Sequence, residues 1–126
     1  SMGLLYREKG IPAMMIVTNR MTREELKRLA EGMFGSMVKG VVDVDRGIIA
    51  VDGELHSDLE ALLIEDGSEQ RNLWGINLYP ELEGSDFVEF DSMINVRPSQ
   101  GNMSRLVEDE RTRETILTLV AKWIER

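Results

Sequence analysis

At 126 residues and 14.3 kDa the chain is sized for one domain with one core, and a multidomain layout is not expected. Its 42% hydrophobic and 30% charged content is that of an ordinary globular protein and argues against disorder. The net charge of −8, with 15 basic residues scattered among 23 acidic ones, argues against nucleic acid and anionic membranes as partners.

No apolar run is long enough to span a bilayer. Gly3-Leu4-Leu5-Tyr6 is too short for the apolar region of a secretory signal. The absence of cysteine removes disulfides, thiolate metal sites and a cysteine nucleophile together. It agrees with a reducing compartment, so a cytoplasmic location is the expectation. The oligomeric state is not legible.

Ser1 reads as a tag remnant ahead of Met2, residues 1–13 as a loose extension with a turn at Gly10-Ile11-Pro12, and residues 14–126 as one domain. Met14 to Thr18 reads as a short buried strand. Thr22-Arg23-Glu24-Glu25 is a capping box, and Leu26, Leu29, Ala30, Met33 and Phe34 follow on one helical face, with Gly35 as the cap. Met37 to Val44 and Ile48 to Val51 are β-branched runs joined by Asp45-Arg46-Gly47, a hairpin turn with glycine in the left-handed region. Ser57-Asp58-Leu59-Glu60 is a second capping box, opening a short helix with Leu59, Leu62 and Leu63 inward and Gly67 at its close. Asn72 to Tyr79 and Asp86 to Val96 read as two further strands. Asp109 caps a last helix with Ile116, Leu119, Val120, Trp123 and Ile124 on its apolar face. The order β-α-β-β-α-β-β-α predicts an α+β fold, about five mostly antiparallel strands with three helices packed on one face.

Alternation along the last two strands separates a core from a polar face. Trp74, Ile76 and Leu78 share one side of the first strand, as Val88, Phe90, Ile94 and Val96 do on the second. The other sides carry Asn77 and Tyr79, and Glu89, Asp91, Asn95 and Arg97. An antiparallel sheet commonly has one solvated face, so plain solvation explains this row. The functional alternative is a ligand platform in which Arg97 is an anion-binding fork, helped by Asn77, Asn95 and the loop residues Ser99, Gln100 and Asn102. Asp91 to Asp109 is longer than most connectors and rich in amide and hydroxyl side chains, which marks an ordered polar surface.

The lone histidine belongs to Asp52, Glu54, His56 and Asp58, which alternate and would share one side of an extended chain. Carboxylates and an imidazole suit a divalent metal, with His56 and Glu54 as ligands. The opposing reading is a structural or exposed histidine, because Ser57 as a helix cap breaks the extension near His56. An EF-hand count over Asp43 to Glu54 fails, since Gly47 and Ile48 stand where an oxygen ligand and a glycine are needed. Neither a nucleophile elbow nor a phosphate-binding glycine loop is present. Trp74 and Trp123 read as core residues rather than stacking platforms.

Three blocks, Gly53-Glu54-Leu55-His56-Ser57-Asp58, Gly67-Ser68 with Leu73-Trp74-Gly75-Ile76-Asn77, and Ile94-Asn95-Val96-Arg97-Pro98-Ser99-Gln100-Gly101-Asn102, carry a resemblance. They resemble an uncharacterised family of small prokaryotic proteins, one of the domain-of-unknown-function families, over about Met15 to Arg126. The resemblance implies a single domain and assigns no activity.

The expectation for function is a small protein that binds a polar or anionic ligand, with metal-assisted hydrolysis as one form of it. Arg97 would orient the ligand's anionic group, and His56 would serve as base or metal ligand with Glu54 or Asp91 assisting. That requires the His56 and Arg97 segments to meet in space. The rival expectation is a protein-interaction or self-association module, motivated by the acidic surface and by Met93 and Met103.

Overall fold

Five short antiparallel strands lie in the order β1-β3-β2-β4-β5. They are β1 (Met15–Ile16), β2 (Val38–Asp43), β3 (Ile48–Val51), β4 (Leu73–Leu78) and β5 (Val88–Glu89), and the helices are α1 (Arg23–Glu31), α2 (His56–Glu65) and α3 (Glu110–Trp123). The structure is a computed structural model that describes residues 14–126, so the expected N-terminal extension and its turn lie outside the described residues. The α+β class and the element order are as the sequence predicts.

Local chemistry sets the boundaries. Thr22 accepts from the Glu25 amide and the Glu25 carboxylate accepts from the Thr22 amide, both at 3.1 Å, so the predicted capping box opens α1. The β2–β3 turn closes with Asp43 Oδ1 accepting from the amides of Asp45 and Arg46 at 2.9 Å, and with Gly47 at φ +70°. Asp109 caps α3 by accepting from the Thr112 amide at 2.9 Å. α2 differs from the expectation: it begins at His56 with Leu55 at the cap position and no side-chain cap bond, so Ser57 lies in the first turn.

The helices divide between the two faces of the sheet, where one face was expected. Leu26, Leu29 and Ala30 of α1 and Ile116, Leu119 and Val120 of α3 pack with Val38, Val42, Ile49, Val51, Trp74, Ile76 and Leu78. Leu59 and Leu63 of α2 pack with Val41, Ala50 and Leu73 in a separate cluster. The cause is visible in β2 and β3. Val41-Val42 and Ile49-Ala50-Val51 are buried without a polar alternate, the pattern of strands covered on both sides. Trp74 lies in the first core, and Trp123 packs against it while donating Nε1–H to Gly47 O at 2.8 Å.

β5 is far shorter than the expected strand from Asp86 to Val96. The expected shared face of Val88, Phe90, Ile94 and Val96 therefore breaks up. Val88 and Phe90 join the first core, Ile94 packs against the second, and Val96 is exposed. The chain leaves the sheet after Glu89 and runs along the edge of β4 as a folded loop with short helical turns at Met93–Asn95 and Pro98–Gln100.

Candidate functional site

Where β5 stops, β4 still has backbone groups to satisfy, and side chains of the loop take over. Asn95 Oδ1 accepts from Gly75 N–H at 2.8 Å, and its Nδ2 donates to Gly75 O at 3.0 Å and to Arg105 O at 3.0 Å. The amide thus imitates a paired strand residue in a fully buried position. A Cβ on Gly75 would sit 2.6 Å from Ser92 Cβ, so glycine is required where the loop presses on the strand. Asn102 braces the loop from within, donating to Asn95 O (2.7 Å), Ser104 O (3.1 Å) and Leu106 O (2.7 Å), while its Oδ1 accepts from the Glu108 amide at 2.9 Å.

Arg97 continues the same edge. Its Nε donates to Ile94 O and one terminal nitrogen to Gln70 O, both at 2.9 Å, and the other terminal nitrogen donates to Leu73 O. The guanidinium stacks over the Trp74 ring at 4.6 Å and is only 8% exposed. Burial lowers its pKa and the charge of Glu60 opposes that; an arginine so placed stays protonated. Glu60 Oε2 lies 3.8 Å from it, beyond hydrogen-bond reach, and the Glu60 side chain is 13% exposed. That oxygen is buried with no hydrogen-bond donor. Arg97 thus gives three of its five N–H groups to main-chain carbonyls and leaves an acceptor beside it unfilled.

His56, the first residue of α2, lies over β4 with Nε2 2.8 Å from Ile76 O. The carbonyl can only accept, so Nε2 carries the proton and Nδ1 is the acceptor of the neutral ring. Desolvation lowers its pKa, opposed first by that carbonyl bond, with Lys39 and Arg105 adding to the lowering and Asp91 opposing it. Beneath it Lys39, Asn77 and Glu89 stand directly opposite one another across β2, β4 and β5. Asn77 Nδ2 donates to Glu89 Oε1 (2.9 Å) and Asp91 O (3.1 Å), and its buried Oδ1 has no partner. Tyr79 donates its hydroxyl to the same Glu89 oxygen at 2.9 Å, and burial followed by that bond raises its pKa. Asp91 is held by Arg105 Nε at 2.6 Å.

The two segments singled out in the sequence do meet, through a residue that was not among the candidates. Glu60 is one turn beyond His56 on the same side of α2, and it is Glu60 that approaches Arg97. The available signal was a carboxylate four residues after the histidine, between Leu59 and Leu63 of the inward stripe. Glu54 is exposed and precedes the helix that His56 begins. Asp52 is buried at φ +70° at the end of β3. The expected alternation of Asp52, Glu54, His56 and Asp58 on one side is lost, because the helix starts at His56. Among the described residues no group of three or more His, Asp or Glu side chains is placed to hold a metal ion.

Between α2 and the loop lies an open cavity of about 360 Å³. Glu60 and Arg97 form its charged wall, Met93, Ile94, Val96 and Pro98 its apolar wall, and Gln70, Ser99 and Gln100 its polar mouth. Gln100 is fixed by donating Nε2–H to Arg71 O at 3.1 Å, whereas Ser99 is exposed. Of the expected ligand-binding residues, Arg97, Ser99 and Gln100 border this cavity, Asn77 lies toward His56, and Asn95 and Asn102 are committed to the loop's own structure. Two other depressions, along the outer side of α3 and beside residues 15–21, include no comparable buried ion pair.

The model of a family described as a protein of unknown function matches residues 15–123. No curated protein matches the chain, and no solved structure does.

Proposed function

We propose that this chain, which belongs to the DUF5674 family, is a small soluble binding protein that takes up a small polar ligand between α2 and the Met93–Gln100 loop. The observation that carries this reading is the buried Glu60 carboxylate, short of a donor at the wall of a cavity large enough for a small molecule. A buried acceptor without a partner costs on the order of 1–3 kcal/mol, which a ligand that supplies the donor would recover. The rest of the site is rigid: Asn95, Arg97 and Asn102 hold the loop by hydrogen bonds to main-chain atoms, so little ordering is needed on binding. His56 stands one turn away as a neutral imidazole. We favour binding over metal-assisted hydrolysis, because among the described residues no group of three or more His, Asp or Glu side chains is placed to hold a metal ion. We assign the protein to the cytoplasm, in keeping with a chain free of cysteine.

A thermal-denaturation screen with small polar compounds tests this. A compound present at 100 times its dissociation constant stabilises by about 2.7 kcal/mol, which raises the midpoint by roughly 8–14 °C for a domain of this size. The shift should shrink in Ser99→Ala/Gln100→Ala and in Met93→Trp, which narrows the cavity. A shift that survives both variants would move the site elsewhere.

A second reading, a protein-interaction surface, is favoured by the same loop. Met93 and Met103 are 65% and 66% exposed and Leu106 is 55% exposed. Light scattering across a concentration series distinguishes self-association, which the ligand-binding reading does not require.

A further inference from the structure

We infer that the cavity between α2 and the Met93–Gln100 loop selects ligands bearing an N–H-donating amine, amidine or guanidinium group on a short apolar body, and rejects anions. This rests on that cavity being the binding site. It reverses the charge preference that an arginine in a polar loop suggests.

The geometry points this way because three of the five Arg97 N–H groups are already given to carbonyls, whereas Glu60 Oε2 has no donor. Three main-chain carbonyls, of Ile94, Gln70 and Leu73, face the Arg97 guanidinium and accept its hydrogen bonds. The group is held against Trp74 and cannot turn its planar fork to an anion without breaking those bonds. What the cavity wall offers a ligand is acceptor: the Glu60 side chain lines it and is 13% exposed, its buried Oε2 has no donor, and at 3.8 Å Arg97 compensates its charge but does not hydrogen-bond it. An anion placed there would meet the carboxylate first. A planar amidinium or guanidinium can give an N–H to the Glu60 carboxylate, and it can stack against the apolar wall formed by Met93, Ile94 and Pro98. The net charge of −8 also draws cations rather than anions toward the surface.

Charge-matched probes of one shape test this. Benzamidine and benzylamine are titrated into the wild-type protein beside benzoate and phenyl phosphate, with amide chemical shifts followed by NMR. The expected result is saturable shifts at Glu60, Met93, Ser99 and Gln100 with the two cationic probes, and none there with the anionic ones. Glu60→Gln, checked for native shifts elsewhere, should weaken benzamidine at least tenfold. The wild-type comparison needs no variant, so an unfolded Glu60→Gln would not blunt the test. Saturable binding of benzoate or phenyl phosphate at these residues would overturn the charge preference while leaving the cavity as the site. Cationic probes that bind unchanged after Glu60→Gln would overturn it as well. No shifts at the cavity with any of the four probes would overturn both the preference and the binding reading beneath it.

Discussion

Truncating Asn95 to alanine removes three hydrogen bonds and leaves Gly75 N–H and C=O buried at the edge of β4. With a cost of about 1–3 kcal/mol for each buried group left unpaired, the loss should come to roughly 3 kcal/mol and lower the melting midpoint by on the order of 10 °C. Calorimetry of Asn95→Ala checks this; a change of a degree or two would mean that the loop is not pinned through its amide. The buried histidine sets a pH dependence. Its folded pKa lies below 6.5, so as pH falls through that value the unfolded chain takes up a proton that the fold does not. The stability gained by keeping His56 neutral is present above pH 6.5 and is lost as pH falls toward the lowered folded value. Urea unfolding at pH 7.5, 6.5 and 5.5 should therefore show a decline that is shallower in His56→Gln. Single residues were legible where chemistry is local, as with Thr22 and Asp109 at their helix starts. Arg97 is legible as a polar loop residue, but its carbonyl partners, Gln70 and Leu73, are not, because they lie more than twenty positions away.

At the scale of elements, the periods of helices and hairpins in the sequence carry over to the structure, as do the starts of α1 and α3, while the start of α2 and the end of β5 do not. α2 shows why: Ser57-Asp58-Leu59-Glu60 has the letters of a capping box, yet the helix starts one residue before the serine, with Leu55 at its cap. Leu55 is exposed and has extended backbone angles suited to a cap, so Leu55→Ser should add a cap bond worth about 1 kcal/mol and raise the midpoint by roughly 3–5 °C. An unchanged midpoint would show that the first turn of α2 is satisfied in another way. The segment after Glu89 was read as strand because its side chains alternate in polarity. In the fold those polar residues supply by side chain the hydrogen bonds that a longer β5 would supply by backbone. That substitution depends on a partner strand which the local pattern does not contain. The two-sided burial of β2 was within reach, since Val41-Val42 has no polar alternate.

For the whole molecule, the sheet with helices on both faces explains where a site can form. α1 and α3 close one side with a continuous apolar core, and α2 covers only part of the other. At the margin of that cover, against the part of β4 that is paired by the loop rather than by β5, lie the Glu60–Arg97 pair and its cavity. The sequence points to both segments, His56 and Arg97, but Glu60, the carboxylate that approaches Arg97, reads there only as the last letter of a capping box. The most direct measurement is amide chemical-shift mapping of the wild-type protein against a cocktail of small fragments. The account predicts shifts that gather at Glu60, Gln70, Met93, Ile94, Ser99 and Gln100 and saturate together. Shifts confined to the outer side of α3, around Glu114 and Thr118, or spread evenly over the surface, would contradict it.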